Sequence, residues 1–401
     1  MRPSTSGEQS QSWQPLLAAR LVVLVAFVDL FMQFPIVAPY ARGFGASASL
    51  VGLVVAAYSA TNLIGNVIAG VALDRWGRRL PILAGLLGTA AALLGYVFVR
   101  TPQQLIIARA VHGLTAAMLT PGAFAILGDL AAPDKRARIM GISGAIIAVA
   151  AVAGPSIAGI IGEKVGFKVV FLLSSTLMLA TFAAFWRLST KQIRGEVIDP
   201  HVLTGLSALI RRPRLVVTYL SALALTIGLG TLVAHLPITL LARGELPARS
   251  GLAFTVFAIV ATIAMASPLN RVSDRYGRVS LVVAGLGLTC AGMLMLGSSR
   301  DIGSTMVGMG IFGLGFGVLF PSMTAFVAED AAMNERGKAF GLFYAIYSLG
   351  VVIGSVLSGL LAEHLGETTG VPFLLGAAIT LAAVPVITIV WNMQRGNIKR
   401  G

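Results

Sequence analysis

The sequence predicts an all-α membrane protein whose twelve transmembrane helices form two parallel-repeat six-helix bundles. Three observations lead to this prediction: the composition, the number of long apolar segments and an internal repeat. Of the 401 residues, 56% are hydrophobic and only 11% are charged, whereas soluble domains carry about one quarter charged residues. One crossing of a bilayer takes about 20 apolar residues, so the chain has room for twelve spans joined by short connections.

The apolar segments supply the twelve spans. None of the connections between them is large enough to form a catalytic domain, so an enzyme is not predicted. The segments run approximately over 18–41, 47–73, 80–99, 103–128, 137–162, 167–186, 215–242, 250–270, 279–297, 302–328, 338–362 and 371–391.

The basic residues are distributed unevenly between the two sides of the predicted membrane. One side receives 22 of the 30 Lys and Arg residues and the other receives seven, while Arg109 falls inside a span. Because loops rich in Lys and Arg stay in the cytoplasm, both termini are predicted to be cytoplasmic and the membrane to be the inner (cytoplasmic) one. The net charge of +14 is therefore a topology signal, and no nucleic-acid partner is predicted.

A shift of 200 residues overlays the chain on itself. Between 70–166 and 270–366, 27 of 97 positions are identical without a gap, which indicates a duplication. Six spans in each half is an even number, so both halves cross the membrane in the same sense. The predicted organisation is a cytoplasmic tail 1–17, a six-helix bundle 18–187, a cytoplasmic linker 188–214, a second bundle 215–392 and a cytoplasmic tail 393–401.

A glycine-rich basic loop follows the second span. Glycines allow a tight turn between two spans, and the arginines fix the loop on the cytoplasmic side. The motif resembles the loop signature of the major facilitator superfamily, which implies a latch in which Asp74, Arg78 and Asp129 hold the halves together on the cytoplasmic side. The motif comprises Gly70, Asp74, Arg75, Gly77, Arg78 and Arg79, with a degenerate copy at Asp274, Arg275, Gly277 and Arg278.

Two further segments are similar to motifs of the same family. Arg109 with downstream Gly113 and Pro121 resembles the fourth-span motif of proton-coupled members. Gly154, Pro155 and Gly159 in the fifth span resemble the signature of antiporters, although Ala158 stands where that signature has a glycine. Pro155 removes a backbone donor and is expected to kink its helix. The resemblance covers nearly the whole chain and is closest to twelve-helix drug and metabolite efflux members.

Ionisable side chains inside a span are costly and usually functional. Asp29 is predicted to lie about 13 Å from the cytoplasmic edge and Arg109 about 9 Å from the other edge, at 1.5 Å per helical residue. His112 shares the helical face of Arg109. In the second half, the repeat places Met309 at the position of Arg109 and Phe312 at the position of His112. We therefore predict that Asp29 is the proton-binding carboxylate; the alternative is a static ion pair with Arg109.

A second group of side chains is predicted to line a substrate cavity between the halves. His235 could equally be a packing residue, Asn62 could be a hydrogen-bonding group between helices, and the phenylalanines could face the core or lipid. This group comprises Gln33, Asn62, His235, Phe312 and Phe316.

The function that follows from the motifs is proton-coupled export of a small lipophilic or amphipathic molecule by alternating access. A uniporter or symporter of a metabolite, a lipid flippase and a non-transporting membrane receptor stay open as alternatives. The chain has one cysteine and four scattered histidines, and we predict neither a metal site nor a cofactor. The predicted partners are the substrate, protons and membrane lipids, and the predicted assembly state is a monomer.

Overall fold

The computed structural model describes residues 6–130, 136–189, 209–210, 212–267, 278–331 and 335–398. Within these ranges it contains twelve helices that are long and apolar enough to cross a membrane, which confirms the predicted fold class. The helices are α1 Ser6–Gln33, α2 Val37–Arg42, α3 Ala48–Arg75, α4 Arg79–Phe98, α5 Pro102–Ala116, α6 Leu119–Asp129, α7 Arg136–Lys164, α8 Phe167–Leu188, α9 Pro213–Ala242, α10 Pro247–Ala266, α11 Arg278–Ser298, α12 Ile302–Asp330, α13 Arg336–Leu365 and α14 Val371–Ile398.

Helices α1 and α14 extend past the predicted bundle boundaries, to Ser6 and Ile398. Most of the predicted linker 188–214 lies outside the described residues. We call the side of the membrane on which α1 begins and α14 ends the terminal side. The other side is the opposite side.

The duplication is visible in how the helices begin and end. The side chain of Thr101 accepts a hydrogen bond from the backbone N–H of Gln104, and the side chain of Asp301 accepts one from Ser304; each caps a span in one half. These bonds from the Ser304 backbone and hydroxyl hold the pKa of the exposed Asp301 carboxyl below its usual value. The two cap positions are 200 residues apart.

Two spans of the first half are interrupted. Helix α1 ends at Gln33, and the chain turns through residues 34–36 before α2. Pro35 has no N–H to continue the helix. The fourth span breaks at residues 117–118 between α5 and α6, because Pro121 cannot donate to the carbonyl four residues earlier. Interrupted spans of this kind leave polar backbone groups at membrane depth, where transporters place their sites.

The most extensive contacts between the two halves are made by two helix pairs, α3 with α13 and α7 with α10. A Cβ added to Gly52 would lie 2.4 Å from the carbonyl oxygen of Ser355, and one added to Gly251 would lie 2.4 Å from that of Pro155. Backbones this close leave no room for a side chain, which is how small residues pack helices in membranes. The two contacts are equivalent under the repeat.

The halves meet on the opposite side. The hydrogen bond between Ser156 and Thr255 (2.7 Å) and the ring contact between Phe34 and Phe254 (5.5 Å) both join the halves beyond the middle of the membrane. On the terminal side, Gly70 on α3 is exposed, and no atom lies within 4 Å of a Cβ built there. These contacts between the halves therefore lie on the opposite side.

Candidate functional site

Four polar side chains of α1 and α5 meet inside the first half. Asp29 and Gln33 are one turn apart on α1, and Arg109 and His112 are one turn apart on α5. Their exposed fractions are 2%, 4%, 6% and 0%. Residues one turn apart share a helical face, so each helix presents its two polar groups to the other. The structure thus brings together the three residues predicted for proton coupling and one predicted for the cavity.

The carboxylate of Asp29 has two partners. Its Oδ2 atom lies 2.9 Å from Nε2 of His112, and its Oδ1 atom accepts a hydrogen bond of 2.9 Å from the Gln33 amide. A buried polar group without a partner is costly, and more so when it carries charge. Both oxygens are satisfied, so the protein can hold this acid inside the first half.

The second ring nitrogen of His112 is also engaged. Its Nδ1 atom lies 3.0 Å from the hydroxyl of Tyr96 on α4 and 3.4 Å from the Gln33 amide nitrogen. The rings of Tyr58 and Tyr96 stand edge-on to the imidazole, with centroids 5.0 and 5.7 Å away. Contacts at both nitrogens and along the ring hold the imidazole in one orientation.

Arg109 does not pair directly with Asp29, which corrects the predicted alternative of a static ion pair. Its Nη1 atom donates to Oε1 of Gln33, its Nε atom donates to the carbonyl of Val54 at 3.3 Å, and its guanidinium lies 4.7 Å from the ring centroid of Tyr58. The Gln33 amide stands between the two charges, because its nitrogen faces Asp29 and its oxygen faces Arg109. Meanwhile, His112 occupies the other carboxylate oxygen.

This arrangement can hold and pass a proton. A carboxylate and an imidazole 2.9 Å apart share a proton along one hydrogen bond, and Tyr96 continues the hydrogen-bonded path on the far side of the ring. Gln33 also accepts a hydrogen bond from Arg109, which links the positively charged guanidinium to the same network.

The equivalent region of the second half is apolar. The backbone contact between Gly113 and Tyr58 recurs between Gly313 and Phe257, so the first spans of the halves are related by 199 residues and the later ones by 200. His112 then corresponds to Phe312 and Asp29 to Gly228. The Phe312 ring lies 3.2 Å from a Cβ built at Gly228, and it fills the volume that the acid and imidazole occupy in the first half.

Two residues predicted for the cavity do not line it. His235 is fully buried, and its Nε2 atom lies 2.9 Å from the carbonyl of Thr369 near the opposite side. Its ring packs on Phe373 at 5.0 Å. Phe312 is 1% exposed and packs inside the second half, where Gly228 leaves room for its ring and Gly292 lets its backbone approach. Both side chains are packing residues.

The other cavity candidates are half-buried. The Asn62 amide donates to the carbonyl of Gly113 at 3.1 Å, so it joins α3 to α5, as its alternative interpretation supposed. Phe316 contacts Phe257 at 5.4 Å and stacks on Phe320 at 5.5 Å. Phe316 and Phe320 are both half-buried, so part of each ring is accessible at the surface of the second half.

A row of aromatic rings crosses from the first half to the second half. Phe27 and Phe31 lie on α1 and Phe34 lies in the turn after it, with centroids 6.1 and 5.4 Å apart, and Phe34 contacts Phe254 of α10. All three rings of the first half are half-buried. Phe27 and Phe31 lie on the face of α1 that points away from Asp29 and Gln33, so the row is an apolar surface separate from the polar network.

The loop motif forms contacts inside the first half. Arg78 donates to both carboxylate oxygens of Asp129, at 2.7 and 3.3 Å. Arg79 donates to Ser189 and lies 4.9 Å from the ring of Trp186. Among the described residues, Arg78 and Asp129 of the predicted latch therefore pair with each other inside the first half and not across the halves.

The remaining motif residues are placed as follows. Gly77 adopts a φ of +76° in the turn between α3 and α4, which favours glycine, and Arg75 is exposed. Arg278 pairs with Glu329, which repeats the Arg78–Asp129 pair 200 residues later. The side chain of Asp74, and the residues Asp274, Arg275 and Gly277, lie outside the described part of the structure.

The antiporter-like motif lies at a contact between the halves. A Cβ at Gly154 would lie 3.2 Å from the Cβ of Phe31, and one at Gly159 would lie 2.9 Å from the carbonyl of Pro247. Pro155 contributes the carbonyl that faces Gly251, and α7 continues through it as a helix. The motif therefore joins α7 to α1 and α10.

Sequence reasoning missed Tyr58 and Tyr96. The signal for Tyr96 was present, since the repeat places Leu296 at its equivalent position, the same asymmetry that singled out Arg109 and His112. Among the described residues, no group of three or more His, Cys, Asp or Glu side chains could hold a metal ion.

Comparison with known proteins places the chain in a family. The sequence model of the Major Facilitator Superfamily matches residues 21–246 and 244–397. Multidrug resistance protein 1 of Bacillus subtilis (strain 168) is 25% identical over 379 residues, which cover 92% of this chain and 94% of the relative. Quinolone resistance protein NorA of Staphylococcus aureus (strain COL) is 21% identical over 383 residues, with coverage of 94% and 96%.

Solved structures show the same fold. A bacterial homolog of the human lysosomal transporter Spinster, in an inward-facing and occupied conformation, aligns with a TM-score of 0.79 at 14% identity, covering 94% of this chain and 96% of that one. The nucleoside transporter NupG aligns with a TM-score of 0.72 at 14% identity, covering 94% and 99%. By its sequence and its twelve spans, this chain belongs to the major facilitator superfamily and is a multi-pass membrane transporter.

Proposed function

We propose that this transporter exports a small lipophilic or amphipathic molecule in exchange for protons. The observation that carries the proposal is the buried contact between Asp29 and His112, 2.9 Å long, which the first half contains and the second half replaces with Gly228 and Phe312. The duplicated scaffold folds without these charges in one half. Their retention in the other therefore points to a task beyond packing.

In the proposed cycle, Asp29 carries the proton. Burial disfavours an ionised carboxylate, whereas a neighbouring cation favours it. When the site faces the side of higher pH, water takes the proton and the network of His112, Gln33 and Arg109 stabilises the carboxylate. When it faces the acidic side, Asp29 regains the proton and a bound cation is released.

The aromatic row supports the choice of substrate class. Phe27, Phe31 and Phe34 offer half-buried faces that bind apolar and aromatic molecules, and aromatic faces attract cations. The two named relatives are resistance proteins for multiple drugs and for quinolones, in agreement with cargo of this kind.

The positions of the contacts between the halves support alternating access. We assign the terminal side to the cytoplasmic face of the inner membrane, because it carries most of the Lys and Arg residues, and we propose that the space between the halves opens there. Rocking of the halves about the site would open the opposite side. In that conformation, the loop motif with Asp74, Arg78 and Asp129 would come near the second half.

The proposal is tested with purified protein in liposomes under an imposed pH gradient. We expect a fluorescent lipophilic cation to be transported with proton counterflow, and Asp29→Asn to abolish gradient-driven transport while the protein remains folded. Asp301→Asn is the matched control, since it removes an exposed acid and keeps a helix cap of equal quality. Gradient-driven transport by Asp29→Asn at the wild-type rate would exclude Asp29 as the proton carrier.

The same assay separates the alternatives. A uniporter would move the cation without proton flux, and a symporter would move protons in the same direction as the cation. A receptor would bind the cation and not move it. A flippase would move a labelled lipid between leaflets and leave the cation in place.

A further inference from the structure

Two glutamates occupy equivalent positions in the two halves, on the side of the membrane where the halves touch. Glu163 lies in the last turn of α7, and Glu363 lies in the last turn of α13, 200 residues later. The repeat therefore has glutamate at this position in both halves, although many positions that surround the buried network differ between the halves.

Each glutamate reaches the first turn of a helix in the other half. Oε2 of Glu363 accepts hydrogen bonds from the hydroxyl of Ser47 and the backbone N–H of Ser49, both at 2.8 Å. Oε2 of Glu163 accepts one from the backbone N–H of Ala248 at 3.2 Å. The bonds therefore cross from α13 to α3 and from α7 to α10.

These acceptors match the chemistry of the helix ends they meet. The first N–H groups of a helix have no partner inside it, and the aligned peptide dipoles place partial positive charge there. A carboxylate satisfies both features. Beside each glutamate lie the backbone contacts of Gly52 and Gly251, so the charge acts where the helices are already closest.

We propose that Glu163 and Glu363, with the helix N-termini at Ala248 and Ser49, form a pseudo-twofold clasp that holds the opposite side closed. Opening that side separates α3 from α13 and α7 from α10, and both carboxylates must then leave the helix ends. The clasp thereby sets the balance between the two conformations. This inference rests on the alternating access of the proposed function.

The clasp has one asymmetric reinforcement. Arg42, at the end of α2, forms an ion pair with Glu367 in the connection after α13. This pair also crosses between the halves on the same side. The repeat places Phe167, and not an acid, at the position of the first half that is equivalent to Glu367. The clasp can therefore be weakened by its glutamates while the ion pair is left intact.

The clasp is tested by distance measurements between spin labels on the opposite side. Arg100→Cys and Arg300→Cys place labels at exposed, repeat-related positions of the two halves, with the buried Cys290 replaced by Ala. Glu163→Ala and Glu363→Ala remove the carboxylates and keep good helix formers. Glu245→Ala is the control, an acid of the same side whose carboxylate has no hydrogen bond among the described residues.

We expect the ratio of long to short distances to rise about 2- to 5-fold for each glutamate removed and to rise further in the double variant, by the usual strength of a charge at a helix end. The control should leave the ratio unchanged. An unchanged ratio in the folded, monodisperse double variant would overturn the clasp. If Asp29→Asn still gave gradient-driven transport and the glutamate variants still raised the distance ratio, only the assignment of Asp29 as the proton carrier would be overturned.

Discussion

Nε2 of His112 lies 2.9 Å from Oδ2 of Asp29, and both side chains are buried in the first half. This contact joins the first and fourth spans next to the points where each is interrupted. Because the Gln33 amide separates Asp29 from Arg109, the nearest ionisable partner of the acid is an imidazole. The site therefore combines a carboxylate, an imidazole and a guanidinium.

Replacing His112 with Phe, the residue of the second half, removes the ionisable partner and preserves a ring. A hydrogen bond to a charged group contributes about 1.5–3 kcal/mol, so we expect gradient-driven transport to fall about tenfold to a hundredfold. The measurement is the initial transport rate in liposomes across a range of pH. His364→Asn, at the exposed end of α13, is the control, and wild-type rates in His112→Phe would show that Asp29 works without the imidazole.

Removing only the hydroxyl of Tyr96 tests the outer part of the network. Tyr96→Phe keeps the edge-on ring and deletes the partner of Nδ1, 3.0 Å away. One such hydrogen bond contributes about 0.5–1.5 kcal/mol, so transport should fall about twofold to tenfold with a changed pH profile. A fall in rate with an unaltered profile would assign Tyr96 to packing alone.

Much of the fold could be predicted from the sequence, because membrane spans are long apolar runs and the duplication is nearly free of gaps. The sequence predicted three members of the network, and it missed Tyr58, Tyr96 and the hydrogen bonds that join them. Asp29, Arg109 and His112 could be identified because they are ionisable residues inside predicted spans. Their pairing depends on the directions of their side chains, which the sequence does not give. The Gln33 amide, which lies between the charges, is a neutral group whose role no spacing reveals.

The errors at His235 and Phe312 have a common physical origin. Membership of a cavity-lining helix does not decide which face of that helix a residue occupies. His235 is positioned by the carbonyl of Thr369, and Phe312 fills the space that the missing side chain of Gly228 leaves. Both depend on contacts between distant segments, which hydropathy does not encode.

Packing at Phe312 can be separated from substrate binding by mutation. Phe312→Ala should lower the free energy of unfolding by about 3–5 kcal/mol, the usual range for a buried Phe, because its ring fills the space beside Gly228 and Gly292. Unfolding in mixed micelles measures the loss. Val307→Ala, at an exposed position of the same helix, should change stability by at most about 0.5 kcal/mol. A variant of normal stability with weakened substrate affinity would return Phe312 to the cavity.

The close contact at Gly251 predicts a conformational effect. A methyl group there would lie 2.4 Å from the carbonyl of Pro155, so Gly251→Ala should push α10 from α7 and weaken the closed opposite side, at a cost of about 1–3 kcal/mol for overpacking. Spin labels at positions 100 and 300 measure the shift toward longer distances. Gly95→Ala is the control, since nothing lies within 4 Å of its added carbon. Equal distances in both variants would show that α7 and α10 yield without separating.

The ion pairs Arg78–Asp129 and Arg278–Glu329 lie within their halves, so they should contribute to local stability and not to the distance between the halves. Both pairs are partly exposed, and exposed pairs contribute about 0.2–1 kcal/mol. A double-mutant cycle on Arg78→Ala and Asp129→Ala should give a coupling free energy in this range that falls as salt is raised, because exposed charges are screened. The label distances should stay unchanged in the same variants as long as the terminal side is open. If breaking the Arg78–Asp129 pair shortened the label distance on the opposite side, the pair would act across the halves as the latch that the loop motif implies.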